Sequence, residues 1–106
     1  MNIETVRKKF TPMSETMLYI LISLVEERHG YGIMQHVKEI TAGRIILGAG
    51  TIYQTLVKLE NGELIKPTEE KDRKKLYIVT EMGKRILLEE KNRINEIAKN
   101  MEGLLW

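Results

Sequence analysis

Two stretches of the chain carry side chains that can address a polyanion. The first is Gly48-Ala49-Gly50-Thr51, followed by Tyr53, Gln54, Thr55 and Lys58. On a helix, residues three and four apart are neighbours, so Thr51, Gln54, Thr55 and Lys58 are expected to face outward together. The glycines leave the helix start bare, and its unpaired backbone N–H groups suit an anion. Glutamine can pair bidentately with the major-groove edge of adenine, and short hydroxyls reach base edges or phosphates. The second stretch is Glu69-Glu70-Lys71-Asp72-Arg73-Lys74-Lys75, where the bases Arg73, Lys74 and Lys75 gather after the acids. Such a cluster grips a sugar-phosphate backbone with salt-dependent, sequence-blind affinity. Tyr31 and Tyr53 fall at the starts of two helical runs, and their hydroxyls can reach phosphate while the rings pack. Tyr77 is read instead as a partly buried ring. Taken singly, each stretch has an ordinary reading, as a glycine-rich helix entry or a solvated turn. The weight lies in their occurring in this order on one chain.

Other chemistries find little to work with. There is no cysteine, which excludes a disulfide framework, a thiol nucleophile and cysteine-ligated zinc. His29 and His36 are seven apart, separated by Gly30-Tyr31-Gly32 and without a third ligand nearby, so no metal is expected. His29 is read as closing a helix C-terminus or touching phosphate. No serine, histidine and acid can be assembled into a catalytic set, and Gly48-Ala49-Gly50-Thr51 lacks the lysine of a phosphate-binding loop. The expectation is a protein that is not an enzyme and needs no cofactor. The longest apolar run, Met17 to Val25, falls well short of the ~20 residues that span a bilayer. The opening Met1-Asn2-Ile3-Glu4 has no apolar signal core, so a cytoplasmic location and no membrane partner are expected. A net charge of +2 permits a polyanionic partner without requiring one.

These residues need elements to hold them, and the apolar spacing supplies a series. Ile3, Val6 and Phe10 stand at helical spacing before Thr11-Pro12 breaks the run. Residues 13–27 form a nearly all-round apolar helix, which belongs at the centre of a domain. Gly30 ends it. A second helix runs from about Gly32 to Thr41 with Ile33, Val37 and Ile40 inward. Arg44 to Leu47 is an apolar link or minimal strand. The third helix opens at Gly48 and runs to Asn61 with Ile52, Leu56 and Leu59 inward, and Gly62 follows as a natural stop. Leu64 to Thr68 reads as an edge strand, 69–73 as a polar turn, and Lys74 to Val79 as the returning strand. Thr80-Glu81 then caps a helix that continues without a breaker to about Glu102. Its seam of Leu87, Ile94, Ile97, Ala98, Met101 and Leu105 outreaches so small a core.

This order predicts a mainly α fold with a small β-hairpin: a winged helix-turn-helix with a long C-terminal dimerisation helix. Residues 1–79 form the DNA-binding domain with its N-terminal arm, and 80–106 the dimerisation helix, in one compact unit. Leu87, Ile94, Ile97, Met101, Leu105 and Trp106 are the expected dimer contacts.

Several blocks in order resemble the PadR family of bacterial and archaeal transcriptional regulators. They are His29-Gly30-Tyr31-Gly32-Ile33, Gly50-Thr51-Ile52-Tyr53-Gln54-Thr55-Leu56, Leu59-Glu60-Asn61-Gly62-Glu63-Leu64-Ile65, Lys74-Lys75-Leu76-Tyr77 and Thr80-Glu81-Met82-Gly83. The resemblance is colinear from about Leu18 to Leu88, and the length resembles the short subfamily with a single C-terminal helix. It implies a homodimeric repressor on double-stranded DNA with an inverted-repeat operator. It places DNA contacts on Tyr31, Gly50, Thr51, Tyr53 and the wing bases Arg73, Lys74 and Lys75. It also implies that the last helix packs on the partner's N-terminal segment, which would turn Val6 and Phe10 toward the partner. Gly48 and Ala49 depart from the family's usual polar cap and proline, although glycine still caps tolerably. Some relatives hold flat aromatic effectors between subunits on tryptophans of the last helix. Here that helix offers Ile94 and Ile97, and the one Trp is Trp106, so a dimer-interface effector is left unassigned. The competing reading is a winged-helix interaction module that binds no DNA.

Overall fold

Most helices begin where a side chain can accept from the otherwise unpaired N–H groups of the first turn. In the computed structural model, which describes all of residues 1–106, Asn2 caps α1 (Ile3–Phe10) and Ser14 caps α2 (Glu15–Ser23). His29 caps α3 (Gly30–Ile40), and Thr80 caps α5 (Glu81–Met101) by accepting from the Gly83 N–H at 3.1 Å. Only α4 (Ala49–Asn61) starts with no side-chain cap, because Gly48 stands at that position. Between α4 and α5 lies an antiparallel hairpin of β1 (Ile65–Lys71) and β2 (Lys74–Val79). The result is the mainly helical winged helix-turn-helix expected from the spacing.

The core takes residues from every element. Ile20, Leu21 and Leu24 of α2 and the turn after it meet Ile33 and Val37 of α3 and Ile52, Leu56 and Leu59 of α4. Leu64, Ile65, Val79 and Ile86 close it from the hairpin and α5. The free edge of β2 is tied back to the turn before α3. Arg28 and Tyr77 exchange backbone hydrogen bonds of 3.1 and 2.9 Å, and the Val79 N–H donates to the Leu24 carbonyl at 2.8 Å. The wing is thereby fixed to the same short segment that launches α3.

Several boundaries and faces differ from expectation. The apolar helix stops at Ser23 rather than Glu27, and Gly30 opens α3 instead of ending the helix before it. Arg44 to Leu47 is a link without a strand. Ile40 is exposed, since the chain turns away after it. The hairpin runs further than 64–68, with the acids Glu69 and Glu70 inside β1. Only Asp72 and Arg73 form the turn, with φ of 52° and 64°, the left-handed pair that a two-residue hairpin needs.

The placement of Val6 and Phe10 toward a partner is also corrected. Both are buried in the core of their own chain, because α1 folds back beside α5. Arg7 ties the two helices through bonds of 2.9 and 2.8 Å to Glu89. The Phe10 ring lies so close to Gly62, at the end of α4, that a β-carbon there would collide with it. Gly62 has an ordinary negative φ, and it is Glu63 that takes the left-handed conformation. Close packing, not backbone freedom, requires glycine at 62.

Gly83 obeys the same rule. A β-carbon there would strike the Leu64 carbonyl and the Val79 side chain. Alanine in a helix interior ordinarily stabilises relative to glycine by about 1 kcal/mol. Gly83→Ala is expected to do the reverse, costing roughly 1–3 kcal/mol through overpacking against backbone. Urea unfolding of the two proteins checks the sign.

Candidate nucleic-acid interface

The two faces of α4 are cleanly divided. Ile52, Thr55, Leu56 and Leu59 are buried, whereas Gly50, Thr51, Tyr53, Gln54, Val57 and Lys58 are exposed. Thr55 was expected to face outward with Gln54. It falls instead on the inward stripe, between Ile52 and Leu59, and is removed from the set of DNA contacts. Beside Gly48 and Gly50 the space is open, with nothing within 4 Å of where a β-carbon would stand. The N-terminal turn of α4 is thus uncapped by any side chain and approachable from outside.

Helix α3 meets α4 through Gly30. A β-carbon at Gly30 would lie 3.1 Å from the Tyr53 hydroxyl oxygen and 3.2 Å from the ring carbon bearing it. Glycine at this position therefore lets the tyrosine lie across the start of α3. Tyr31 points outward from the same turn, and its hydroxyl accepts from Gln35 Nε2 at 2.9 Å. The Lys74 ammonium stands 5.9 Å above the Tyr31 ring centre, a cation–π contact joining the wing to the helix pair. Lys75 lies 5.7 Å from the Tyr77 ring centre, and Tyr77 itself is buried, as its partly buried reading required.

A cavity of about 280 Å³ results, lined by His29, Tyr31, Tyr53, Arg73, Lys74 and Tyr77 among others. The structure therefore brings Tyr31, Tyr53, Arg73, Lys74 and Lys75 to one place. Thr51, Gln54 and Lys58 stand on the outward face of the adjoining helix.

His29 belongs to this group in a role other than the one read from the sequence. It begins a helix instead of closing one. Its Nδ1 accepts from the Gly32 N–H at 3.1 Å, which leaves the ring proton of the neutral form on Nε2. The signal was present, since a polar acceptor three residues before Gly32 is a cap position, but histidine is an uncommon cap. His36 serves the interior. Its Nδ1 bonds the Ser23 hydroxyl at 2.8 Å, and that hydroxyl donates to the Tyr19 carbonyl at 2.9 Å. Burial, aided by Arg28, holds its pKa below the usual histidine value.

The expected dimer contacts on α5 and the residues after it line no part of this cavity. Ile94, Ile97, Met101, Leu105 and Trp106 are all exposed, and Leu87 is half-buried against the core. Leu87 and Ile94 share a groove of about 340 Å³ with Leu18 and Ile22 of α2, rimmed by Lys91 and Asn95. The part played by Leu18 and Ile22 was hidden by the all-round apolar character of α2. The radius of gyration is 14.7 Å, against about 13 Å for a compact domain of this length, because the end of α5 projects beyond the core. No helix is long and apolar enough to cross a membrane.

Residues 10–89 match the model of the transcriptional regulator PadR-like family. The chain is 31% identical over 97 residues to the transcriptional regulator YqjI of Escherichia coli, covering 91% of this chain and 47% of that protein. The chain spans about half the length of that relative, and 21% of an uncharacterized Streptomyces fradiae transposon protein that it also matches. Among solved structures, Bacillus subtilis PadR in complex with operator DNA is 30% identical, with a TM-score of 0.62 over 74% of this chain and 47% of that one. A PadR family transcription regulator from Clostridium difficile is 28% identical, with a TM-score of 0.68 over 80% of this chain and 93% of that one. A transcriptional regulator from Clostridium thermocellum, 16% identical with a TM-score of 0.73 over 87% and 93%, shares the fold.

Proposed function

The chain belongs to the PadR-like family of transcriptional regulators, DNA-binding transcription factors and not enzymes, and from that premise we propose that it is a homodimeric repressor of an inverted-repeat operator. The observation that carries this reading is the joint presentation of two surfaces. The exposed face of α4 bears Thr51 and Gln54, and beside it a cavity gathers Tyr31, Tyr53, Arg73 and Lys74. In this reading the outward face of α4, led by its N-terminal turns, enters the major groove, where Gln54 reads a base edge and Thr51 and the Gly50 backbone meet the edge or the phosphate. Tyr31, Tyr53, Lys58 and the wing bases Arg73, Lys74 and Lys75 hold the sugar-phosphate backbone and set the register.

The second copy is assigned to α5. Residues 80–90 close the chain's own core, and the exposed row of Ile94, Ile97, Met101, Leu105 and Trp106 meets the same row of a partner. Two such protomers present two α4 helices about one DNA turn apart, ~34 Å, which calls for a palindromic site. Closing the groove of Leu18, Ile22, Leu87 and Ile94 beneath a partner would make an apolar chamber between subunits. The chamber is the place for a small-molecule effector, and its lining names none.

The test is a gel shift with the duplex upstream of the protein's own gene and an unrelated duplex of equal length, each at low and moderate salt, with light scattering on the free protein. Expected are a dimer, a retarded band that survives competition only on the first duplex, and affinity falling steeply with salt. Equal retention of both duplexes at moderate salt, or a monomer by scattering, would overturn the reading.

A further inference from the structure

One residue on the exposed face of α4 is unlike its neighbours. Val57 is 58% exposed, and it is the only branched aliphatic side chain among the outward residues of that helix. It lies three residues after Gln54 and seven after Gly50, on the same stripe that the proposed reading places toward DNA. The apolar side of α4 is already complete with Ile52, Leu56 and Leu59, so Val57 adds nothing to the core. Solvent does not favour it either, because β-branching lowers helix propensity. Tyr53, the other apolar body on the face, lies across Gly30 instead.

Among the groups that base pairs present in the major groove, nearly all donate or accept hydrogen bonds. The exception is the 5-methyl of thymine. We propose that Val57 is a specificity-determining residue that packs on a thymine methyl in each operator half-site. This rests on the reading of α4 as the groove-entering helix. Gln54 and Val57 are about 4.5 Å apart along the helix axis, and stacked base pairs are about 3.4 Å apart. The thymine is therefore placed one or two base pairs from the base that Gln54 reads. Together the two residues call for an A·T-rich core in the half-site.

The probe is a duplex recovered by repeated selection from a random pool with the full chain, then resynthesised with uracil at each thymine in turn. Uracil pairs as thymine does and lacks only the methyl. For the wild-type protein, one position in each half-site is expected to lose about fourfold in affinity on uracil substitution, the share of one buried methyl. Val57→Ser is expected to bind the thymine duplex more weakly and to lose that uracil sensitivity, while its melting temperature stays near wild type because the site is exposed. Val57→Thr, which keeps one γ-methyl, is expected to retain part of the sensitivity. A wild-type protein indifferent to uracil at every thymine would overturn the proposal while leaving operator binding intact. So would a Val57→Ser protein with undiminished uracil sensitivity, since another group would then contact the methyl. Selection that yields no common sequence would instead remove the reading on which the proposal rests.

Discussion

Replacing Lys74 and Lys75 together by glutamate is expected to lower affinity for operator and unrelated duplex alike, by roughly 100-fold at low salt. Lys74 stands above Tyr31 and Lys75 beside Tyr77, so both ammonium groups border the cavity between wing and helix pair. Each lysine that meets a phosphate releases counterions, and reversing its sign adds repulsion to the lost release. The slope of log affinity against log salt is expected to fall by about two, the share of two phosphate contacts. Both residues are exposed, so the fold should not suffer. Gln54→Ala supplies the contrast: it is expected to weaken operator binding, leave unrelated duplex almost unchanged and keep the salt slope. Fluorescence anisotropy on both duplexes between 50 and 200 mM salt, the range where phosphate contacts separate most clearly, would decide. An unchanged slope in the double variant would take the wing off the DNA.

The features legible in the sequence share a physical cause. Periodicity reports burial, and burial is strong wherever one face of an element meets the core. Ile33 and Val37 of α3, Ile52, Leu56 and Leu59 of α4 and the Thr80 cap therefore stood where the spacing put them, whereas Ile40 and the α5 seam beyond Leu87 are exposed in the single chain. The ordered blocks around Tyr31, Gly50, Tyr53 and Lys74 likewise pointed to one surface, and the fold assembles most of it. What failed is where two readings compete for one position. Thr55 is polar and sits at an angle between the two faces of α4, and small size lets it be buried. Val6 and Phe10 carried an amphipathic pattern that says an apolar face is covered, but not by which chain. His29 was legible as polar, while its capping role depends on a hydrogen bond that no composition reveals. The hairpin tip was misplaced because Glu69 and Glu70 are poor strand formers. Pairing with β2 across an irregular register overrides that preference.

Glu90 was invisible in the same way, and its removal is expected to cost the fold about 3 kcal/mol. It lies on the inward stripe of α5 with Gly83 and Ile86, where spacing alone calls for a hydrophobe, and it is 2% exposed. The carboxylate accepts from the Met13 N–H, just before α2, and from Arg93 Nε at 2.7 Å and Nη2 at 3.0 Å. It thus ties the segment between α1 and α2 to the last helix. Glu90→Ala would leave the Met13 N–H and the arginine without their acceptor and open a gap, lowering the melting temperature by roughly 15 °C at fixed protein concentration. Glu90→Gln keeps the shape and one acceptor, so a smaller loss is expected. The pH dependence separates charge from shape. The Arg93 hydrogen bonds hold the Glu90 carboxyl below the usual carboxylate range, against the opposing effect of burial, and the Met13 N–H adds to them. A carboxylate more acidic in the folded chain than in the unfolded one contributes its full stability above the unfolded value, about pH 4.3. That contribution is lost as pH falls through this value toward the folded one. Glu89, drawn down by Arg7, follows the same course in both proteins. The difference between wild type and Glu90→Gln is therefore expected to be constant from pH 7 to about 5 and to shrink below about 4. A gap that persisted undiminished at pH 3 would mean that Glu90 acts through packing alone and that the charge on its pair with Arg93 stabilises nothing.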